Sequence, residues 1–200
     1  MPKRVDHAER RTEIAQALVR AAGRLGLHAV GMRDVAAEAG VSLRVVQYYF
    51  ESKEKLLLFG LQHLAGRFGE RVTNRVRAAG DNPGPRAVIE ALLTAALPVD
   101  EESRLFHHLY TSYAVLSVTD EALAAQPFIK DPDAAEITLI GLLQQADDAG
   151  LLQARTDTRT EAVGLLAMSA GLGTSVLVGQ RDAESAAAVL RYHLDRIFGP

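Results

Sequence analysis

Residues 32–57 constrain the fold most. They read Met-Arg-Asp-Val-Ala-Ala-Glu-Ala-Gly-Val-Ser-Leu-Arg-Val-Val-Gln-Tyr-Tyr-Phe-Glu-Ser-Lys-Glu-Lys-Leu-Leu. Val35, Ala36 and Ala39 fall at i, i+1 and i+4, an apolar face on a short helix. Gly40 can take positive φ and end that helix. Val41 drops into the core, and Ser42 is a natural N-cap for a second helix. Val45, Val46, Tyr49 and Phe50 give the second helix a buried side. Leu43, Arg44, Gln47 and Tyr48 are left pointing largely outward. A buried helix, a glycine turn and a second helix with an exposed Arg/Gln/Tyr face is the logic of a helix-turn-helix that enters a DNA major groove.

The formal net charge of −3 conceals a division. Residues 1–80 carry 14 Lys and Arg against 8 Asp and Glu, a balance of +6, so residues 81–200 carry 8 against 17, a balance of −9. This asymmetry suggests a basic reading head on an acidic body, with chance partitioning of solvated charge as the alternative. Two hundred residues, 48% of them hydrophobic, suffice for a real core in one or two domains. The absence of cysteine excludes disulfides and thiolate metal sites and suits a reducing cytoplasm. The charged start, Met-Pro-Lys-Arg-Val-Asp-His, is not expected to act as a secretory signal, and the apolar stretches are expected to carry too many charges, glycines and prolines to span a bilayer.

Periodicity predicts helices over about 8–25, two across the motif, 52–79, 86–97, 100–117, 133–149, 159–178 and 182–198. Ile14, Leu18, Ala21 and Leu25 share a face of the first. Leu56, Leu57, Gly60, Leu61, Leu64 and Phe68 line the fourth. Gly80-Asp81-Asn82-Pro83-Gly84-Pro85 is the clearest internal breaker, and Pro127 and Pro132 disrupt a later stretch. No run alternates at strand spacing, so the fold class is all-α. A helix-turn-helix DNA-binding domain is expected over residues 1–55, followed by a helical-bundle ligand-binding and dimerisation domain over 56–200.

Asp34-Val35-Ala36 through Gly40-Val41-Ser42, then Tyr49-Phe50, Ser52-Lys53 and Leu56-Leu57, resembles the N-terminal domain of TetR-type transcriptional regulators over about residues 10–57. Leu97-Pro98 through Tyr113 is loosely similar to the betaine-pathway branch of that family. Three features depart from the common pattern. Gly31 stands where a Ser or Thr usually opens the first motif helix. Arg44-Val45-Val46-Gln47 replaces a frequent Gly-Thr-Leu-Tyr, so Val45 lacks a phosphate-binding hydroxyl, and Gln47 offers an amide in place of a phosphate-binding Tyr. These departures bear on the operator sequence.

Arg44 can bond guanine O6 and N7, Gln47 can bond adenine N6 and N7, and they share a face at i and i+3. Leu43 or Tyr48 can touch a thymine methyl. The resemblance implies phosphate contacts for Tyr49 and Lys53, the latter at a helix N-terminus. With Arg33 and Ser42 these make the candidate DNA-contacting set. A candidate ligand site is built on Phe106, Tyr110 and Tyr113 at i, i+4 and i+7, with His107 beside them and Phe128, Gln144 and Met168 approaching from neighbouring helices. Plain core packing is the alternative for each.

His107 and His108 diverge by about 100° on a helix and do not converge on one ion, so no metal site is expected. No catalytic constellation, phosphate loop or cofactor motif is present. Ala167, Ala170, Gly171, Gly173 and Ser175, with Ala186, Val189, Leu190, Leu194 and Ile197, suggest a homodimer through the last two helices, intramolecular burial being the alternative. The expected function is a cytoplasmic, homodimeric repressor that binds double-stranded operator DNA and is released by an unidentified small molecule, without a membrane or a cofactor. A ligand-independent regulator or activator is the first alternative, and a small helical enzyme a remote one.

Overall fold

The structure is a computed structural model that describes residues 7–26, 29–119, 121–125, 134–153 and 157–199. Every regular element among them is helical: α1 (His7–Leu25), α2 (Met32–Glu38), α3 (Leu43–Phe50), α4 (Lys53–Ala78), α5 (Pro85–Ala95), α6 (Glu101–Ser117), the single turn α7 (Glu121–Ala124), α8 (Ala134–Asp148), α9 (Thr158–Leu177) and α10 (Ala183–Phe198). The all-α expectation holds, with helix ends within about two residues of those read from periodicity. Pro127 and Pro132 lie outside the described residues. The chain forms two compact units, one of residues 1–67 and 108–124, the other of 68–107 and 125–200.

In the first unit, Ile14, Ala15, Leu18, Ala21 and Ala22 of α1 pack with Val35, Ala36, Val46, Phe50, Leu56 and Leu57 in a closed core. Leu25, expected on the buried face of α1, is 43% exposed because the helix ends there at Gly26. Arg20 and Arg24 of α1 hold Glu38 of α2 at 3.0 and 3.1 Å, which keeps the Glu38 carboxyl below its usual pKa. The Arg11 guanidinium lies 4.5 Å from the centre of the Phe59 ring and 5.3 Å from that of Phe50. Such contacts add about 0.5–1 kcal/mol at exposed sites.

The second unit buries Ile89, Leu92, Leu93 and Leu97 with Leu139, Leu143, Leu165, Leu172, Val176, Leu190, Leu194 and Ile197. The Ser169 hydroxyl donates to the Leu93 carbonyl at 3.1 Å, which satisfies a polar group inside this core. Asp100 accepts from the Ser103 amide at 2.8 Å at the start of α6, and Arg71 donates to it at 2.9 Å. Burial opposes its ionisation, but the Ser103 and Arg71 hydrogen bonds prevail and hold its pKa at about 2.

Two expectations are corrected here. The helix α9 is, by length and composition alone, apolar enough to cross a membrane, with a mean hydropathy of 1.3. Its apolarity has a packing origin in part: Ala162, Leu165, Leu172 and Val176 enter the core, while beyond Arg159 and Thr160 its exposed residues are Val163, Gly164, Ala167, Ala170, Gly171 and Thr174. Ala186, Leu190, Leu194 and Ile197, expected to meet a partner, are buried within the protomer itself. Gly173 and Ser175 are buried too, whereas Ala167, Ala170, Gly171 and Val189 are exposed.

Candidate nucleic-acid interface

The turn between α2 and α3 follows from three residues. Gly31 has no side chain to cap α2, and Asp34 compensates by accepting from the Gly31 amide at 2.8 Å. Gly40 takes φ 65°, where a Cβ is disfavoured, and ends the α2 segment. Ser42 then caps α3, its Oγ accepting from the Val45 amide at 3.4 Å. The α3 helix turns Val46 and Phe50 into the core, so Arg44, Gln47 and Tyr48 face solvent. Val41, Leu43, Val45 and Tyr49 are half-buried at the margin. After α3, Glu51 at φ 58° reverses the chain, and the Ser52 Oγ accepts from the Lys55 amide at 3.3 Å, so Lys53 opens α4.

Ser42, Arg44, Tyr48 and Tyr49 come together around a shallow concavity of 450 Å³, with Val41, Val45 and Arg10 completing its lining. Tyr48 is 68% exposed and meets Tyr49 edge-on at 5.2 Å between ring centres. A tyrosine displayed this way offers both a ring face and a hydroxyl to a partner. The His7 ring stands 5.6 Å from Tyr49 and 6.3 Å from Tyr48. Arg10 and His7 were not anticipated. The only trace of them in the sequence is the basic character of the N-terminal segment, since their approach to α3 depends on how α1 packs. Arg10 also bonds Glu13 at 2.7 Å, so its charge is partly neutralised. Arg33 is exposed on α2, away from this concavity's lining.

The residues singled out for a ligand fall in both units. In the second, Phe106 stacks on Phe68 with ring centres 5.1 Å apart and planes 1° apart. His107 is buried, its Nε2 3.1 Å from the Thr174 Oγ1. Burial holds its pKa below the ordinary imidazole value, against the opposing effect of a hydrogen bond to the Ala96 backbone. Gln144 is exposed, and Met168 packs half-buried against the core. In the first unit, Tyr110 is half-buried and Tyr113 fully buried. Phe128 lies outside the described residues. A cavity of 490 Å³ opens in the second unit, but Phe106, His107, Gln144 and Met168 do not line it.

Comparison with known proteins agrees with this geometry. A family model described as the C-terminal domain of BetI-type transcriptional repressors matches residues 85–199, and one for bacterial regulatory proteins of the tetR family matches 14–58. The HTH-type transcriptional regulator PksA of Bacillus subtilis is 26% identical over 179 residues, 89% of this chain and 83% of that protein. The HTH-type transcriptional regulator BetI of Rhizobium meliloti is 33% identical over 101 residues, so the chain spans about half, 48%, of that relative's length. Among solved structures, a TetR-family regulator from Rhodococcus sp. superposes with a TM-score of 0.83 at 23% identity, over 96% of this chain and 100% of that one. A transcriptional regulator from Saccharomonospora viridis, solved in complex with choline, does so with 0.78 at 22%, over 96% and 100%. At these identities the two structures speak for the fold alone. The helix-turn-helix at residues 32–50, the all-helical body behind it and the match of more than half the chain to one family model lead to one assignment: the chain belongs to the TetR family of DNA-binding transcriptional regulators, with a C-terminal region of the BetI type.

Proposed function

We propose that the protein is a homodimeric, cytoplasmic repressor that releases its operator when a small molecule binds. The observation that carries the DNA-reading part is the capped α3 helix, which shows Arg44, Gln47 and Tyr48 to solvent while Val46 and Phe50 anchor it. Arg44 and Gln47 would read base edges, with Leu43 and Tyr48 against thymine methyls. Ser42, Tyr49, Lys53 and Arg33 would hold phosphates and set register. Residues 1–55 act as the reading domain and 56–200 as the regulatory and dimerisation domain.

Dimerisation is supported by a stripe on the outer face of α9 and α10. Val163, Val178 and Tyr192 are 48%, 62% and 66% exposed, and Ala167, Ala170, Gly171 and Val189 lie exposed among them. On α9, Val163, Ala167, Ala170 and Gly171 follow i, i+4, i+7 and i+8, one face of one helix, and Val178 follows directly at its C-cap. Small residues let a second copy's helices approach closely, and two such pairs make a four-helix interface. Two-fold symmetry then sets the two recognition helices about 34 Å or a multiple apart, one per major groove.

Ligand response is supported by the BetI-type match of residues 85–199, by a fold shared with a regulator solved in complex with choline, and by α4, a single helix of 26 residues that contributes to both units. A ligand that prefers one spacing of the reading heads weakens operator binding by its differential affinity for the two states. Within the second unit, Phe106, His107, Gln144 and Met168 are the proposed effector contacts. The deciding experiment is selection of bound duplexes from a random pool, followed by sedimentation of the complex. An inverted repeat bound by two copies is expected. Enrichment of no sequence, or of a site bound by one copy, overturns the proposal.

A further inference from the structure

We propose that the cavity walled by α4, α5 and α10 binds a small monocarboxylate with an apolar body, held by Arg75. This site lies wholly in the second unit and apart from the effector residues named above, so the inference goes beyond the regulatory reading.

The cavity, open to solvent on one side, has a volume of about 490 Å³, within the roughly 300–1,000 Å³ of small-molecule sites. Its walls include the methyls of six alanines, Ala78 and Ala79 at the α4 end, Ala87 and Ala91 of α5, and Ala183 and Ala187 of α10. Val99, 47% exposed, adds apolar surface to the lining.

The lining carries two arginines, Arg75 and Arg191, and two glutamates, Glu90 and Glu184, and of these four only Arg75 makes no ion pair among the described residues. Glu90 and Glu184 both accept from Arg191, at 2.9 and 3.0 Å, and Glu90 also meets Arg86 at 3.4 Å. Those carboxylates are therefore committed. Arg75 has no carboxylate partner among the described residues. It donates a long hydrogen bond, 3.3 Å, to the Thr94 hydroxyl, and that hydroxyl already donates to the Glu90 carbonyl at 2.7 Å. A half-buried guanidinium keeps most of its five donors for a planar acceptor, and a carboxylate matches that fork in charge and geometry. A cation, by contrast, would meet two arginines and two spent glutamates.

The helix register keeps this site open in a dimer. Glu184, Ala187 and Arg191 fall at i, i+3 and i+7 on the cavity side of α10. Ser185, Val189, Tyr192 and Arg196 share another side, separated from the cavity across the helix. A second copy seated on Val189 and Tyr192 leaves the cavity mouth uncovered.

The alanine methyls supply the test. Full-length protein labelled at alanine methyls would be titrated with linear monocarboxylates of about four to ten carbons, benzoate and phenylacetate, each beside its neutral amide, and with choline. Saturable shifts of the Ala87, Ala91 and Ala187 methyls are expected with at least one acid, and binding about tenfold or more weaker with its amide. Arg75→Gln should lower the acid's affinity by about tenfold or more while leaving distant methyls unmoved. Ala87→Leu should block the cavity and abolish the shifts. Absence of saturable shifts across the whole panel overturns the proposal. So does equal binding of amide and acid, choline moving the same methyls as strongly, or an unimpaired Arg75→Gln.

Discussion

Gly173 leaves the space that the His107 imidazole fills: a Cβ built on Gly173 would stand 2.4 Å from the ring Cε1 and 2.7 Å from Nδ1. The ring cannot easily yield. It is buried, bonded to Thr174 at 3.1 Å and bonded again to the Ala96 backbone. Alanine in place of glycine ordinarily favours a helix by about 1 kcal/mol. Here the clash should outweigh that gain, so Gly173→Ala is expected to destabilise by about 1–3 kcal/mol, the usual cost of overpacking. Urea unfolding measures it. The His107→Ala background should remove the penalty, and a stabilising Gly173→Ala in the parent would refute the close fit.

The same ring makes stability depend on pH. Burial lowers the His107 pKa in the folded state, so the unfolded chain takes up a proton first as pH falls. The stability this residue contributes is complete above the ordinary imidazole value of about 6.5 and is lost as pH falls below it. His107→Gln, which keeps a hydrogen-bonding side chain and cannot titrate, should flatten the decline between about pH 7.5 and 5.5. The measurement is the denaturation midpoint of parent and variant across that range. A parallel decline in both assigns the effect elsewhere.

Local chemistry was legible. Ser42 and Gly40 announced the turn, and the breakers at 80–85 and at Gly150 announced helix ends, because capping and positive φ are set by one or two neighbouring residues. What covers a helix face was not. Leu190 and Leu194 share one helix with Val189 and Tyr192, and apolar spacing alone does not say which pair meets the protomer's own core. Only packing against α5 and α9 decides it. The same holds for Arg10 and His7 beside Tyr48 and Tyr49, for Gly173 under His107, and for Arg75, which meets no carboxylate among the described residues. Each depends on residues far apart in the chain brought together by the tertiary fold.

That distinction directs the test of the dimer. Tyr192→Asp with Val163→Asp places charge on the exposed stripe and should yield a folded monomer by sedimentation, with helical circular dichroism retained. Leu190→Asp instead buries a charge in the protomer and should unfold the second unit, since an unpaired buried charge costs several kcal/mol. A Tyr192→Asp/Val163→Asp protein that remains dimeric would move the interface off α9 and α10.

The recognition helix makes the last prediction. Arg44 is exposed on α3 and Lys53 is half-buried at the start of α4. Arginine paired to a guanine edge reads sequence, whereas a lysine at a helix N-terminus senses the phosphate backbone. Arg44→Ala should therefore weaken binding to the selected duplex by about 1–3 kcal/mol and relax preference at one base pair in each half-site. Binding to random DNA should fall much less. Lys53→Ala should weaken both duplexes alike and flatten the dependence of log K on log salt by about one unit per half-site. Fluorescence anisotropy on both duplexes at several salt concentrations separates the two patterns. Equal losses for Arg44→Ala on selected and random DNA would reduce it to a backbone contact, and Gln47 with Tyr48 would then carry the base reading on this face.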